Sequence, residues 1–211
     1  MGKIKQGILG GFSGKVGPVI GSSWKGKAYI KSAPLSYNDA NSLPQQQQRA
    51  HFSIISRFIS DINGFIRLGF NTMADNITTQ NAAMRINLSN AISGDWPNYE
   101  LSLKDAIVAY GTIDLPFSPT ANADGEDITA SWSDNSGLGN AEATDKVMLL
   151  LYNHAKRQSV YSLAVAERAS RTATISAPAA WSGDQVAVYL AMQRPTTGDT
   201  SKSAHLGIFT I

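Results

Sequence analysis

Six lysines and no acidic residue occupy the first 31 positions, and seven glycines precede Lys25. Glycine loses more backbone freedom on ordering than any other residue and brings no side chain to pack. The large apolar residues here, Phe12, Ile20, Trp24 and Tyr29, stand singly and draw no helical or core pattern. Such a leader becomes ordered only against something else: the body of its own subunit, another subunit, or a polyanion. Its cationic and aromatic side chains are the candidate contact residues, namely Lys3, Lys5, Phe12, Lys15, Trp24, Lys25, Lys27, Tyr29 and Lys31.

The near-neutral total charge hides an asymmetry. Residues 1–60 carry eight Lys or Arg against Asp39 alone, 8 − 1 = +7, and the remainder carries 10 − 15 = −5. A basic leader on an acidic body suits nucleic acid, and equally suits the acidic face of a neighbouring copy. The second partner is one the sequence itself supplies. Cysteine is absent, which excludes a disulfide scaffold, thiolate metal sites and a cysteine nucleophile. Neither a secretory signal nor an apolar run of membrane-spanning length is visible. The expected location is the cytoplasm, or a particle assembled there.

Three regions follow from the pattern: a basic Gly-rich arm and hairpin at 1–43, a helical region with an accessory strand at 44–115, and an immunoglobulin- or fibronectin-III-like β-sandwich at 116–211. Pro44 suits the first turn of a helix, and Phe52, Ile55, Phe58, Ile59, Ile62, Phe65 and Ile66 recur at spacings of three and four. A second helix is predicted over 79–92, with Gly94 placed as its left-handed cap, and 101–110 reads as extended. PFSPTANADGED reads as a linker. Strands are predicted at 128–132, 146–153, 159–166, 172–177, 185–193 and 205–211, separated by turn clusters, with Trp132 and Trp181 in the core. So many short strands in under 100 residues suggest the sandwich, and the lack of a Cys pair excludes the antibody type. The fold class expected is α+β, mainly β.

Five pieces of the chain carry a resemblance. They are GILGGFSGKVGPVIGSSWKGKAYIKS, the Gln-rich approach to RAHFSIISRF, NAAMRINLSNAISGDWPNYEL, ITASWSDNSGLGNAEATDKVMLLLYN and WSGDQVAVYLAM. Together they resemble an uncharacterised protein family of about this length found in Bacteroidota. The resemblance implies no activity, cofactor or catalytic residue. The basic Gly-rich hairpin, the Pro- and Gln-rich step and Arg-x-x-Phe on a helix are also similar to prophage-associated proteins.

Chemistry-bearing motifs are scarce. GGFSGKV fails as a phosphate loop, because Leu9 stands five positions before Gly14 and Val16 replaces the hydroxyl that would hold Mg²⁺. His51, His154 and His205 are scattered without metal-ligand spacing, and there is no G-x-S-x-G elbow. Asp124, Glu126 and Asp127 read as a solvated turn, as do Asp134, Asn135, Gly137 and Asp184. In an extended segment Lys27, Tyr29 and Lys31 share one face, and Ala28 and Ile30 the other. The expectation is a non-enzymatic structural or interaction protein without cofactor, metal or small-molecule substrate. It would assemble with copies of itself into a filament, tube or virion-like particle, its arm docking on a neighbour. The alternative is a nucleic-acid-associated protein that contacts the phosphate backbone through the same arm.

Overall fold

The computed structural model describes residues 2–4, 10–24, 26–34, 36, 39–73 and 77–211. The chain divides into two compact units, Met1–Ser42 and Leu43–Ile211. Among the described residues it is mainly β, with four antiparallel sheets and three α-helices.

The first unit is a sheet of four strands in chain order, β1 (Lys3–Ile4), β2 (Phe12–Val16), β3 (Val19–Trp24) and β4 (Lys27–Ser32). Gly17-Pro18 turns β2 into β3, and Gly26, with φ 79°, lies in the turn before β4. Among the described residues of this unit only Gly21 is buried.

The second unit opens with α1 (Leu43–Asp61), α2 (Asn63–Gly69) and α3 (Thr79–Asn90). The periodic apolar face lies inward: Ile55, Phe58, Ile59, Ile62, Phe65 and Ile66 are all buried, while Phe52 stays 54% exposed. The helix breaks at Ile62, so the stripe is divided between α1 and α2. Gly69 leaves room for the Val108 carbonyl oxygen, which would sit 2.6 Å from a Cβ there. Thr78 caps α3, its hydroxyl accepting a bond from the Asn81 amide at 3.2 Å.

Two expectations for the stretch after α3 are corrected. The helix ends at Asn90, and Gly94, φ 80°, instead lies between the paired strands β5 (Ile92–Ser93) and β6 (Glu100–Leu101). Beyond Leu101 the chain to Tyr110 is irregular, not extended. Side chains satisfy part of its backbone. Buried Asn87 donates to the carbonyls of Ala83 and Ile107 (3.0 and 2.8 Å) and accepts from the Ile107 amide at 2.8 Å, and Ser203 Oγ accepts from the Val108 amide at 3.0 Å.

Seven strands complete the unit: β7 (Phe117–Asp124), β8 (Asp127–Ser133), β9 (Lys146–Asn153), β10 (Gln158–Glu167), β11 (Thr172–Ser176), β12 (Gln185–Gln193) and β13 (Ala204–Thr210). The stretch read as a linker is β7. It pairs with β8 through a two-residue loop whose first position is Gly125, φ 59°. One sheet has the order β11-β8-β7, the other β10-β9-β12-β13.

The two central strands of the sheet β10-β9-β12-β13 are buried on both faces. Val147, Leu149 and Leu151 of β9 and Val186, Val188, Leu190 and Met192 of β12 share a core with Ile128, Ala130, Trp132, Ala173 and Ile175 of the other sheet, and with Trp181. On the opposite face Met148, Leu150, Tyr152, Ala187, Tyr189 and Ala191 pack with the helices. Regions 44–115 and 116–211, distinct in sequence character, thus lie in one compact unit, because β9 and β12 bury apolar side chains on both faces. Leu149→Ala and Leu150→Ala, which open cavities on opposite sides of that sheet, should each cost about 2–5 kcal/mol. Denaturant unfolding followed by circular dichroism should show both losses in one shared transition.

Candidate functional site

Strand register places the candidate contact residues. Lys15 pairs with Ile20 and Ile20 with Lys31, Ser22 pairs with Tyr29, and Trp24 pairs with Lys27. Residues directly opposite share a face, as do alternate residues along a strand. Lys15, Ile20, Ser22, Trp24, Lys27, Tyr29 and Lys31 therefore lie on one face, in rows about 7 Å apart. Trp24 is 67% and Tyr29 43% exposed, and the three lysines are exposed. The other face carries Gly14, Val16, Val19, Gly21, Ala28 and Ile30.

Phe12 does not join the lysines. A Cβ on Gly21 would collide with the Phe12 carbonyl oxygen and ring, and one on Gly11 with the Ala28 side chain. The Gly11–Phe12 backbone therefore crosses the Val16/Ile30 face, an approach that only glycine at positions 11 and 21 permits. Lys3 of β1 pairs with Ser13 of β2, next to this crossing. Lys5 and Lys25 lie outside the described residues. Divided by unit, residues 1–42 carry 6 − 1 = +5 and residues 43–211 carry 12 − 15 = −3.

A second cluster sits at one end of the paired sheets, where loops 134–145, 168–171 and 194–200 meet. Asp145 and Arg168 are fully buried. Arg168 donates to Asp145 Oδ2 through Nη2 (2.9 Å) and Nε (3.3 Å), to Asn135 Oδ1 (2.6 Å) and to the Asp114 carbonyl (2.8 Å). Arg194 Nε donates to Asp145 Oδ1 at 3.0 Å, and its Nη1 to Asn140 Oδ1 at 2.9 Å. Trp132 Nε1 donates to the Arg168 carbonyl at 2.8 Å. One carboxylate thus holds two guanidiniums, and Asn135, read as a turn residue, is 3% exposed inside the network. Asp134 keeps the turn role: bonds from the Ser136 hydroxyl and amide hold its carboxyl below the usual range.

A third feature is a cleft of about 560 Å³ between α1, β6 and the β9–β10 hairpin, lined by Arg57, Phe58, Asp61, Tyr99, Tyr152, His154 and Arg157 among others. Its polar centre is a clamp. Asp61 accepts from Tyr152 Oη at 3.0 Å and from Arg157 Nη2 and Nε at 2.8 and 3.1 Å. Burial, reinforced by Asp61, pushes the Tyr152 phenol far upward and keeps it protonated. With the carboxylate already satisfied, the clamp fastens the end of α1 to the hairpin and offers no nucleophile.

The histidines are held apart, each beside a tyrosine: His51 by Tyr99, His154 by Tyr152 and His205 by Tyr189, at ring-centroid distances of 4.1, 6.0 and 5.2 Å. Burial lowers the pKa of His205. Among the described residues no group of three His, Asp or Glu is placed to hold a metal ion, and no helix is long and apolar enough to cross a membrane.

These features define a mainly β protein whose N-terminal sheet displays one basic, aromatic face. The chain belongs to a family of unknown function, DUF6266, whose model matches residues 11–207. A search of curated proteins returned no match.

The Asp145 network and the Asp61 clamp carry no local sequence signal, since their side-chain pairs lie 23 to 96 positions apart. Asp145→Ala should cost about 3–5 kcal/mol in denaturant unfolding, because it leaves the fully buried Arg168 guanidinium without its counter-ion and Arg194 with Glu142 alone. Lys156, 2.6 Å from Asp184, and the Asn153 amide hold the Asp184 carboxyl below the usual carboxylate range. This pairing is complete above about pH 4 and is lost as pH falls through the lowered pKa. In Lys156→Met the Asp184 titration followed by NMR should move up toward about 3.9, the ordinary value.

Proposed function

We propose that this is a non-enzymatic structural protein that assembles with copies of itself, its N-terminal sheet docking on a neighbouring subunit. One observation carries the reading. On the face crossed by Gly11–Phe12 that sheet shows Val16 and Ile30, 54% and 66% exposed. A four-stranded sheet without a core of its own is marginal in water. A neighbour covering Val16 and Ile30 would supply about 1.5–3 kcal/mol per side chain.

The second unit suits the role of a displayed body. Its strand orders, β11-β8-β7 and β10-β9-β12-β13 around one core, support reading 116–211 as an immunoglobulin- or fibronectin-III-like sandwich. The helices then cover one outer face of that sandwich. The Bacteroidota and prophage resemblances fit a particle component assembled in the cytoplasm.

Light scattering on the full-length protein should give a mass of many subunits, and electron microscopy should show rings, tubes or filaments. Val16→Asp/Ile30→Asp should return the protein to a monomer whose second unit keeps its unfolding transition. A strictly monomeric wild type at high concentration, or a multimer unchanged by the double substitution, rejects the reading.

A further inference from the structure

We infer that the opposite face of the same sheet, carrying Lys15, Trp24, Lys27, Tyr29 and Lys31, binds single-stranded nucleic acid. The inference goes beyond self-assembly and uses the side of the sheet that the assembly reading leaves open.

The register supplies the geometry. Trp24 and Lys27 form one row, Ser22 and Tyr29 the next, and Lys15, Ile20 and Lys31 the third. Trp24 and Tyr29 are diagonal neighbours across β3 and β4, about 7–8 Å apart at Cα. Two exposed rings at that separation offer stacking surfaces for successive unpaired bases, with lysines at both ends of the pair to meet the phosphates. Base stacking on aromatics interleaved with cations is how single strands are held without regard to sequence.

The choice of partner follows from charge and shape. Against six lysines the unit carries one acidic residue, Asp39, so its charge favours a phosphate chain. All its cations are lysines, which meet phosphates as point charges and lack the planar fork of arginine that reads base edges. The face is three rows of a sheet, with no helix to enter a major groove, and its rings reach only bases that are not stacked in a duplex. Edge-to-edge pairing of two copies through β4 is disfavoured. Antiparallel pairing of β4 with itself in the register that sets Tyr29 opposite Tyr29 places Lys27 opposite Lys31, and like charges directly opposed are destabilising.

The test titrates the full-length protein into labelled 20-mers of dT and rU, and into a 20-base-pair duplex, at 50 mM salt, read by fluorescence anisotropy. Both single strands should bind, and more tightly than the duplex. Three phosphate contacts predict a slope of log K against log salt of about −2. Trp24→Ala should weaken binding about 5- to 150-fold through lost stacking. Lys15→Gln/Lys27→Gln/Lys31→Gln should abolish it, with the thermal unfolding curve and subunit mass unchanged. Absence of binding at 50 mM salt overturns the inference. So does a duplex bound as tightly as the single strands with Trp24→Ala without effect, or displacement of the strand by polyglutamate at equal charge, which would assign the face to an acidic protein surface. Because Val16 and Ile30 lie on the other side, their substitution to Asp should leave the affinity per subunit intact, so a failed assembly and a failed nucleic-acid face are told apart.

Discussion

The second unit depends on a pair of central strands with no side facing water. Strands β9 and β12 bury apolar side chains on both faces, so each must be covered twice. The sheet β11-β8-β7 covers one face and the helices cover the other. Two phenols that reach this interior have partners: Tyr152 donates to Asp61, and Tyr189 donates to the Leu103 carbonyl at 2.6 Å. These hydroxyls fix where the helical layer sits as well as that it is covered, since a buried phenol without an acceptor is costly. The irregular stretch 102–110 belongs to the same logic. It lies between α3 and the sheet, and borrowed side-chain bonds from Asn87 and Ser203 replace those that a strand would have made.

How much of this was legible follows from the range over which each signal acts. Strands β9 and β12 were found to the residue, because their apolar runs end at turn residues on both sides. Their second buried face was harder to see. In β12 the alternation of Val, Leu and Met with Ala and Tyr looks like a strand with one wet side, when Ala187 and Ala191 are small because helices press against them. Strand β7 was hidden by composition: Pro, Asn, Asp and Ser dominate it, and it exists because β8 offers a ladder to pair with. The Asp145 network was out of reach altogether. Each of its charged residues sits among turn signals that explain it locally, and only the fold brings Asn135, Asp145, Arg168 and Arg194 together.

The leader was legible in character and not in form. Its glycines and lysines gave the expectation of an arm needing a surface, and the Lys27, Tyr29, Lys31 alternation is realised in β4. Two details needed coordinates. Lys15 and Trp24 join those residues through the register of β3, while Phe12 turns away to lie over Gly21. The outcome is a thin element with two chemically different sides, one crossed by its own backbone and edged with aliphatic groups, the other cationic and aromatic. A layer of that kind can join two unlike materials without a core of its own.

The sharing of Asp145 between Arg168 and Arg194 also bears on how this chain can change through descent. Three loops from distant parts of the sequence hang on a single side chain, so no step at that end is small. Replacing the carboxylate strands the buried Arg168 cation, and replacing Arg168 takes the donor from the Glu142 and Asp114 carbonyls and the Asn135 amide oxygen. Drift at these positions must therefore come as linked exchanges, and the loop tips around them, free of that bond, are where lineages can diverge.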